Sequence, residues 1–239
     1  MTTPSLRTLR GALRDRAEPA VRIQQARVLR PPDDDELLGV RVPAVRELAR
    51  AHRELAREDV DALLHSRVHE ERLAGVLVLA ERMRTARGAE RRSLVDFYLA
   101  RTRCVDNWDL VDASAHLVLG PWLVDGPEDP PAVEDVLDGL AASSWLWDRR
   151  IAVVATLALV RAGRFEPTFH LVRVLCRDPE PLIHKALGWM LREIGRRDAP
   201  LLVAFLDQHV TDLPRVTVRY ATERLPAEDR ARFVRARQR

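Results

Sequence analysis

Lysine is almost missing from this chain: Lys185 is the only one, and arginine supplies the rest of the permanent positive charge. Cysteine is nearly as scarce. Cys104 and Cys176 lie far apart, which excludes a disulfide framework or a cysteine-based zinc site and leaves two buried or half-buried thiols. Long apolar runs are lacking too. The longest kind, IAVVATLALV at 151–160, is flanked by Arg149, Arg150 and Arg161 and is about half the length a membrane span needs. The N-terminal stretch MTTPSLRTLRGALRDRAEP is basic but has neither the apolar segment nor the cleavage site of a secretory signal. The expectation is a cytoplasmic protein with no membrane association. A glycine-rich phosphate loop is absent as well. Ser114 and His116 are too close on one helix to act as nucleophile and base, so a hydrolase triad has no support.

What is present is a chain composed to fold, because 46% hydrophobic residues are too many for a disordered segment. Its apolar residues recur at three- and four-residue spacing in 42–52, 68–83, 90–101, 148–163 and 181–195, and period-two alternation is nearly absent. Helix punctuation sits between these stretches: Pro43 and Pro181 near helix starts, Gly163 after a last turn, Asp198 and Pro200 between helices. The pattern predicts roughly a dozen helices and no sheet. Aligned on Arg72, Asp109, Arg150, Lys185 and Arg219, successive segments are 37, 41, 35 and 34 residues apart, the size of a helical-hairpin repeat. The fold class expected is therefore all-α, an α-solenoid of HEAT-like helical hairpins with a concave basic face, formed by residues 1–239 as one domain. An irregular bundle is the alternative.

Charge is unevenly spread. Residues 144–239 hold 18 basic against 11 acidic side chains, whereas DGPEDPPAVEDVLDG at 125–139 has six acidic residues and no basic one. A sequence pI near 9.3 with its positive charge gathered in one region fits an anionic partner, nucleic acid foremost. The acidic stretch reads as a loop and one exposed helix lying away from any phosphate backbone. The terminal EDRARFVRARQR reads as a basic amphipathic helix that caps the core with Phe233 and Val234, with a phosphate-contacting role as the alternative. His65 and His69, four apart, lack a well-placed third metal ligand and read as a solvated helix face.

Three stretches point to chemistry. In VDNWDLVD, at 105–112, the i, i+4 spacing puts the Trp108 indole and the Asp112 carboxylate on one helix face, with Asp109 pointing elsewhere. Structural readings of the same residues are a core tryptophan and carboxylates that cap a helix or pair with arginine. In SSWLWDRRIAVV, Trp145 and Trp147 precede Arg149 and Arg150 at the head of a helix. In IHKALGWMLREIG, Trp189 lies one turn beyond Lys185. In this order and spacing, the three stretches resemble the AlkD family of DNA alkylation repair enzymes, the HEAT-like-repeat alkylpurine DNA glycosylases. The resemblance runs from LLGVRVPAVRELAR near 37 to VRYATERL near 218.

That resemblance implies a catalytic set of Asp112, Trp108 and Trp189, the tryptophans flanking the lesion nucleotide. It implies DNA contacts at Arg150, with Arg149 its neighbour; Lys185 and Arg219 join them from the aligned helix heads. The implied substrate is double-stranded DNA carrying purines alkylated at N3 or N7, excised without deep base extrusion by a monomer that needs no metal, organic cofactor or obligate protein partner. The competing expectation is a non-catalytic DNA-structure binder. One departure stands out. The family's aromatic residue ahead of the Leu-Gly-x-x-x-Pro segment has no counterpart in QQARVLRPPDDDELLG.

Overall fold

A computed structural model describes residues 4–32, 34–126 and 132–236. Among them are sixteen α-helices, one short 3-10 turn at Thr102–Cys104 and no strand. In chain order the helices are α1 (Leu6–Asp15), α2 (Pro19–Leu29), α3 (Val42–Ala51), α4 (Arg57–Leu64), α5 (His69–Met83), α6 (Gly88–Leu99), α7 (Trp108–Val118) and α8 (Gly120–Asp125). They continue as α9 (Val133–Ala141), α10 (Leu146–Ala155), α11 (Leu157–Arg161), α12 (Glu166–Leu175), α13 (Pro181–Gly195), α14 (Ala199–His209), α15 (Arg215–Ala221) and α16 (Ala227–Ala236). Each apolar-periodic segment read from the sequence is a helix. The expected dozen becomes sixteen partly because two apolar stretches break: α7 from α8 at Leu119, and α10 from α11 at Thr156.

The punctuation works locally. Pro43 and Pro181 stand in first turns, where a missing N–H costs nothing, and Gly163 takes a positive φ of 78° after α11. Asp198 caps α14 by accepting the Leu201 N–H at 2.9 Å, and Pro200 follows inside the first turn of that helix. The acidic stretch yields α9, while its residues 127–131 lie outside the described residues, as do 1–3 of the basic N-terminal stretch and 237–239 of the basic C-terminal one. In α16 Phe233 is buried and Val234 half-buried, as a capping helix requires.

The helices form two compact units, Met1–Val118 and Leu119–Arg239. In the first, α3, α5 and α7 pack in a row, with α1 against α3, α4 against α5, and α6 against both α5 and α7. In the second, α10, α13 and α15 form the row, flanked by α9, α12, α14 and α16. This is a helical-repeat arrangement in each unit. The aligned positions all fall on row helices: Arg72 on α5 and Asp109 on α7 in one unit, Arg150 and Lys185 on α10 and α13 in the other, with Arg219 in the last turn of α15. None of the described helices is long and apolar enough to cross a membrane.

Helix α5 is buried on nearly every face, and its polar first turn is enclosed with the rest. The Glu70 carboxylate, 1% exposed, accepts the backbone N–H groups of Leu38 (3.0 Å), Gly39 (2.8 Å) and Val40 (3.2 Å). Such an anion satisfied by three peptide donors holds the Leu-Gly-x-x-x-Pro segment without any matching cation. Gly39 makes this possible: it has a φ of 88°, and a Cβ there would meet Arg22 N at 2.7 Å. The neighbouring Glu71, 2% exposed, is met by Arg10 at 2.8 Å.

Candidate nucleic-acid and catalytic site

In the first unit the site residues belong to α7. Its buried face is Leu110, Val111, Ala113, Ser114, Ala115 and Val118. Ser114 is committed to that core, with its hydroxyl donating to the Leu110 carbonyl and 2.9 Å from the Tyr98 hydroxyl. The stripe left over is Trp108, Asp112 and His116, spaced i, i+4, i+8 and all half-buried. The indole and the carboxylate therefore share one partly open face, as their spacing predicted. Trp108 is the first residue of the helix, where the free N–H groups and the helix dipole favour a negatively charged neighbour.

The head of α7 is fixed by charges that the sequence pattern concealed. Asp109 meets His69 of α5, Nε2 to Oδ2 at 2.8 Å, with the imidazole only 2% exposed. Arg72, one turn along α5, pairs with Asp35 and lies 3.3 Å from Asp106, and it donates to the Ser66 carbonyl at 2.8 Å. Asn107 donates to the Leu29 carbonyl at 3.2 Å, tying the end of α2 to the residue before Trp108. Burial pushes the Asp106 carboxyl above the ordinary carboxylate range, with Arg72 opposing that shift only in part. Burial acts against the charge on Arg72 too, but the hydrogen bond to Asp35 and the field of Asp106 outweigh it and raise the guanidinium further.

His65 is exposed, as the solvated reading expected, and that reading is corrected for His69 alone. His65 follows the last turn of α4 and bonds back to the Asp61 carbonyl, whereas His69 starts α5 and is buried against Asp109. Four residues apart, they sit on two elements. Among the described residues no group of three or more His, Cys, Asp or Glu side chains is placed to hold a metal ion. Both cysteines are free and half-buried, and burial raises the Cys104 thiol.

In the second unit the expected DNA contacts divide into two kinds. Arg149 makes a two-nitrogen contact with Asp178, at 2.6 and 3.3 Å, and donates to the Ser143 carbonyl at 2.9 Å. Arg150 is 5% exposed and donates to the Leu182 carbonyl at 2.6 Å, linking α10 to the first turn of α13. Lys185 and Arg219, by contrast, are exposed. Trp189 lies one turn beyond Lys185 on the same face of α13 and is half-buried. Next to Trp189 in sequence, Gly188 lies against α15, where a Cβ would meet Tyr220 Cβ at 2.6 Å and the Thr217 carbonyl oxygen at 2.7 Å. Close approach of two row helices, made possible by a residue with no side chain, sets the position of Trp189.

Sequence reasoning missed His69, Arg72, Asp106 and Asp109 as a group. The signal available was the polar cluster HEER opening an otherwise apolar helix, opposite three acids within seven residues at 106–112.

Comparison with known proteins gives the family and the fold. A family model described as DNA alkylation repair enzyme matches residues 9–225. The chain belongs to that family. Membership gives it a role in DNA alkylation repair, with DNA as the partner, and the match spans both compact units. Among solved structures, the fold resembles a "Predicted DNA alkylation repair enzyme from Enterococcus faecalis", with a TM-score of 0.67 at 15% identity, over 89% of this chain and 98% of that one. At such identity the likeness establishes the shared fold alone. A search of curated proteins finds no match.

Proposed function

We propose that this member of the DNA alkylation repair enzyme family is a DNA glycosylase that releases purines alkylated at N3 or N7 from duplex DNA. The observation that carries the reading is the Trp108–Asp112 pair, presented on the half-open stripe of α7 above an anchored helix head. An N3- or N7-alkylated purine is cationic, so its N-glycosidic bond is weak, and positive charge builds on the deoxyribose as that bond breaks. A fixed carboxylate stabilises the developing cation by about 3–4 kcal/mol, and Asp112 is the group we assign to it. Asp112 also serves to orient the water that attacks C1′. The Trp108 indole face attracts the cationic base through its quadrupole, by roughly 0.5–2 kcal/mol, and we assign Trp189 the same kind of contact. Selectivity follows from lability: a neutral purine has a stronger bond and stays attached.

Lys185 and Arg219 are proposed to hold phosphates, which fixes register without reading sequence. Arg150 and Arg149 come second in that role, because both guanidinium groups are engaged by protein oxygens. The proposal includes a cytoplasmic monomer that grips the duplex along HEAT-like repeats, works without a cofactor and leaves the lesion shallowly placed instead of extruding it deeply.

The decisive experiment incubates the protein with duplex DNA containing 7-methylguanine or 3-methyladenine and quantifies the free base, beside an Asp112→Asn variant. Release by the wild type that falls about a hundredfold in the variant supports the reading. Wild-type release no faster than the spontaneous rate, with salt-sensitive DNA binding intact, turns the assignment to a DNA-structure binder.

A further inference from the structure

Helices α15 and α16 pack against each other at the C-terminal end of the second unit, and between them opens a groove of about 560 Å³. Its floor is aliphatic, with Val218, Leu225 and Val234 among the lining side chains. Three arginines line it as well: Arg215 and Arg219 from α15 and Arg230 from α16, all exposed. None of the three forms an ion pair among the described residues, although the surrounding arginines do. Arg192 is paired with Glu223, and Arg232 lies 3.0 Å from Asp207. Arg219 lies over the Tyr220 ring at 5.5 Å and the charge of Arg230 acts on Glu223, yet no carboxylate closes a salt bridge with any of the three among the described residues, so their charge faces solvent along an aliphatic trough.

The lining narrows the ligand. Among the described residues it contains no aromatic ring on which a base could stack, and no amide or hydroxyl side chain to read a base edge. It offers aliphatic surface beneath a row of cations, and the chemistry that alternates in the same way is the deoxyribose-phosphate chain, with apolar sugar faces between anionic groups. Arg215 and Arg219 are four residues apart on one helix face, so their Cβ atoms are about 5–6 Å apart, within reach of successive phosphates for side chains of that length. We propose that the groove between α15 and α16 seats the sugar-phosphate backbone of one DNA strand, as a sequence-independent anchor separate from the Trp108–Asp112 pair of the other unit. The proposal rests on DNA being the partner but not on base release.

The test uses undamaged, fluorescein-labelled duplex DNA and the full chain. Binding is measured by anisotropy over a series of KCl concentrations for the wild type, for the triple variant Arg215→Gln/Arg219→Gln/Arg230→Gln, and for a control of equal charge change outside the groove, Arg161→Gln/Arg173→Gln/Arg177→Gln. Each lost phosphate contact lowers the slope of log Kd against log salt by about 0.9, so the groove variant should lose about two to three and the control close to nothing. Ala231→Glu, an exposed lining position, should weaken binding about tenfold at fixed salt with no change in thermal unfolding. Equal losses in both triple variants overturn the proposal, since net charge alone would then explain them. A wild-type slope in the groove variant overturns it too, and leaves the trough to an occupant such as an acidic, apolar peptide. Failure of the glycosylase reading shows only in the release of free base, so the two outcomes stay distinct.

Discussion

The heads of α7 and α13 present the same kind of surface on supports that differ in their balance of charge and close packing. Each carries a tryptophan and a charged residue one turn apart on a partly open face. Beneath α7 lies a buried ionic framework in which His69 holds Asp109 and Arg72 is shared between Asp35 and Asp106. The head of α13 has a smaller ionic support, Arg149 on Asp178 and Arg150 on the Leu182 carbonyl, and the middle of the helix is placed by close contact at Gly188 against Thr217 and Tyr220. Charge specifies direction at a high desolvation cost, whereas close packing specifies distance at almost none. A carboxylate meant to act on one atom needs the first kind of support. A tryptophan offering a broad face is served by the second.

Three substitutions would break or sharpen that contrast. The largest effect is expected from Arg72→Leu, which leaves Asp35 and Asp106 facing each other with no cation between them. It should cost about 3–5 kcal/mol in chemical denaturation, part of it recovered by adding Asp35→Asn. A cost below that of any single packing change in α13 would sink the claim that charge holds the head of α7. Next comes Gly188→Ala, where one methyl group must displace backbone as well as side-chain atoms. We expect about 1–3 kcal/mol from overpacking, with Trp189 fluorescence shifted as the helix moves. An unchanged melting temperature and spectrum would show that α13 and α15 have slack.

The smallest effect, with the most informative sign, belongs to Asp106→Asn. Because burial raises the Asp106 carboxyl, the folded chain binds that proton more tightly than the unfolded chain does. The resulting stabilisation is complete below the ordinary carboxylate pKa and disappears as pH rises through the raised value. The wild type should therefore gain melting temperature relative to Asp106→Asn as pH falls from about 7 to about 4. A difference that stays flat or shrinks on acidification would mean that the carboxylate is held ionised by Arg72 after all.

These supports explain how far the sequence could be read. The helices at 42–51, 69–83 and 181–195 were visible because apolar spacing and proline placement are local properties. Trp108 and Asp112 shared a face for the same reason. His69 looked like a solvated neighbour of His65 because sequence spacing does not reveal that a chain turn separates them, nor that Asp109 waits forty residues on. Arg150 and Arg149 likewise read as free cations, and only the position of Asp178 and the Leu182 carbonyl shows what they hold. Contacts between distant segments decide whether a charged residue is structural or available, and periodicity carries no record of them. The α15–α16 groove was hidden for a related reason: Arg219 was legible as a DNA contact, but only the packing of α15 against α16 brings Arg215 and Arg230 beside it.

Lys185 carries a chemical consequence of its own. It is the chain's single side-chain amine, it is exposed, and it lies one turn from Trp189. An amine-directed reagent therefore addresses one side chain of α13 and leaves every arginine untouched. Acylation there erases one charge beside the Trp189 indole and changes no other side chain of the helix face proposed to meet DNA.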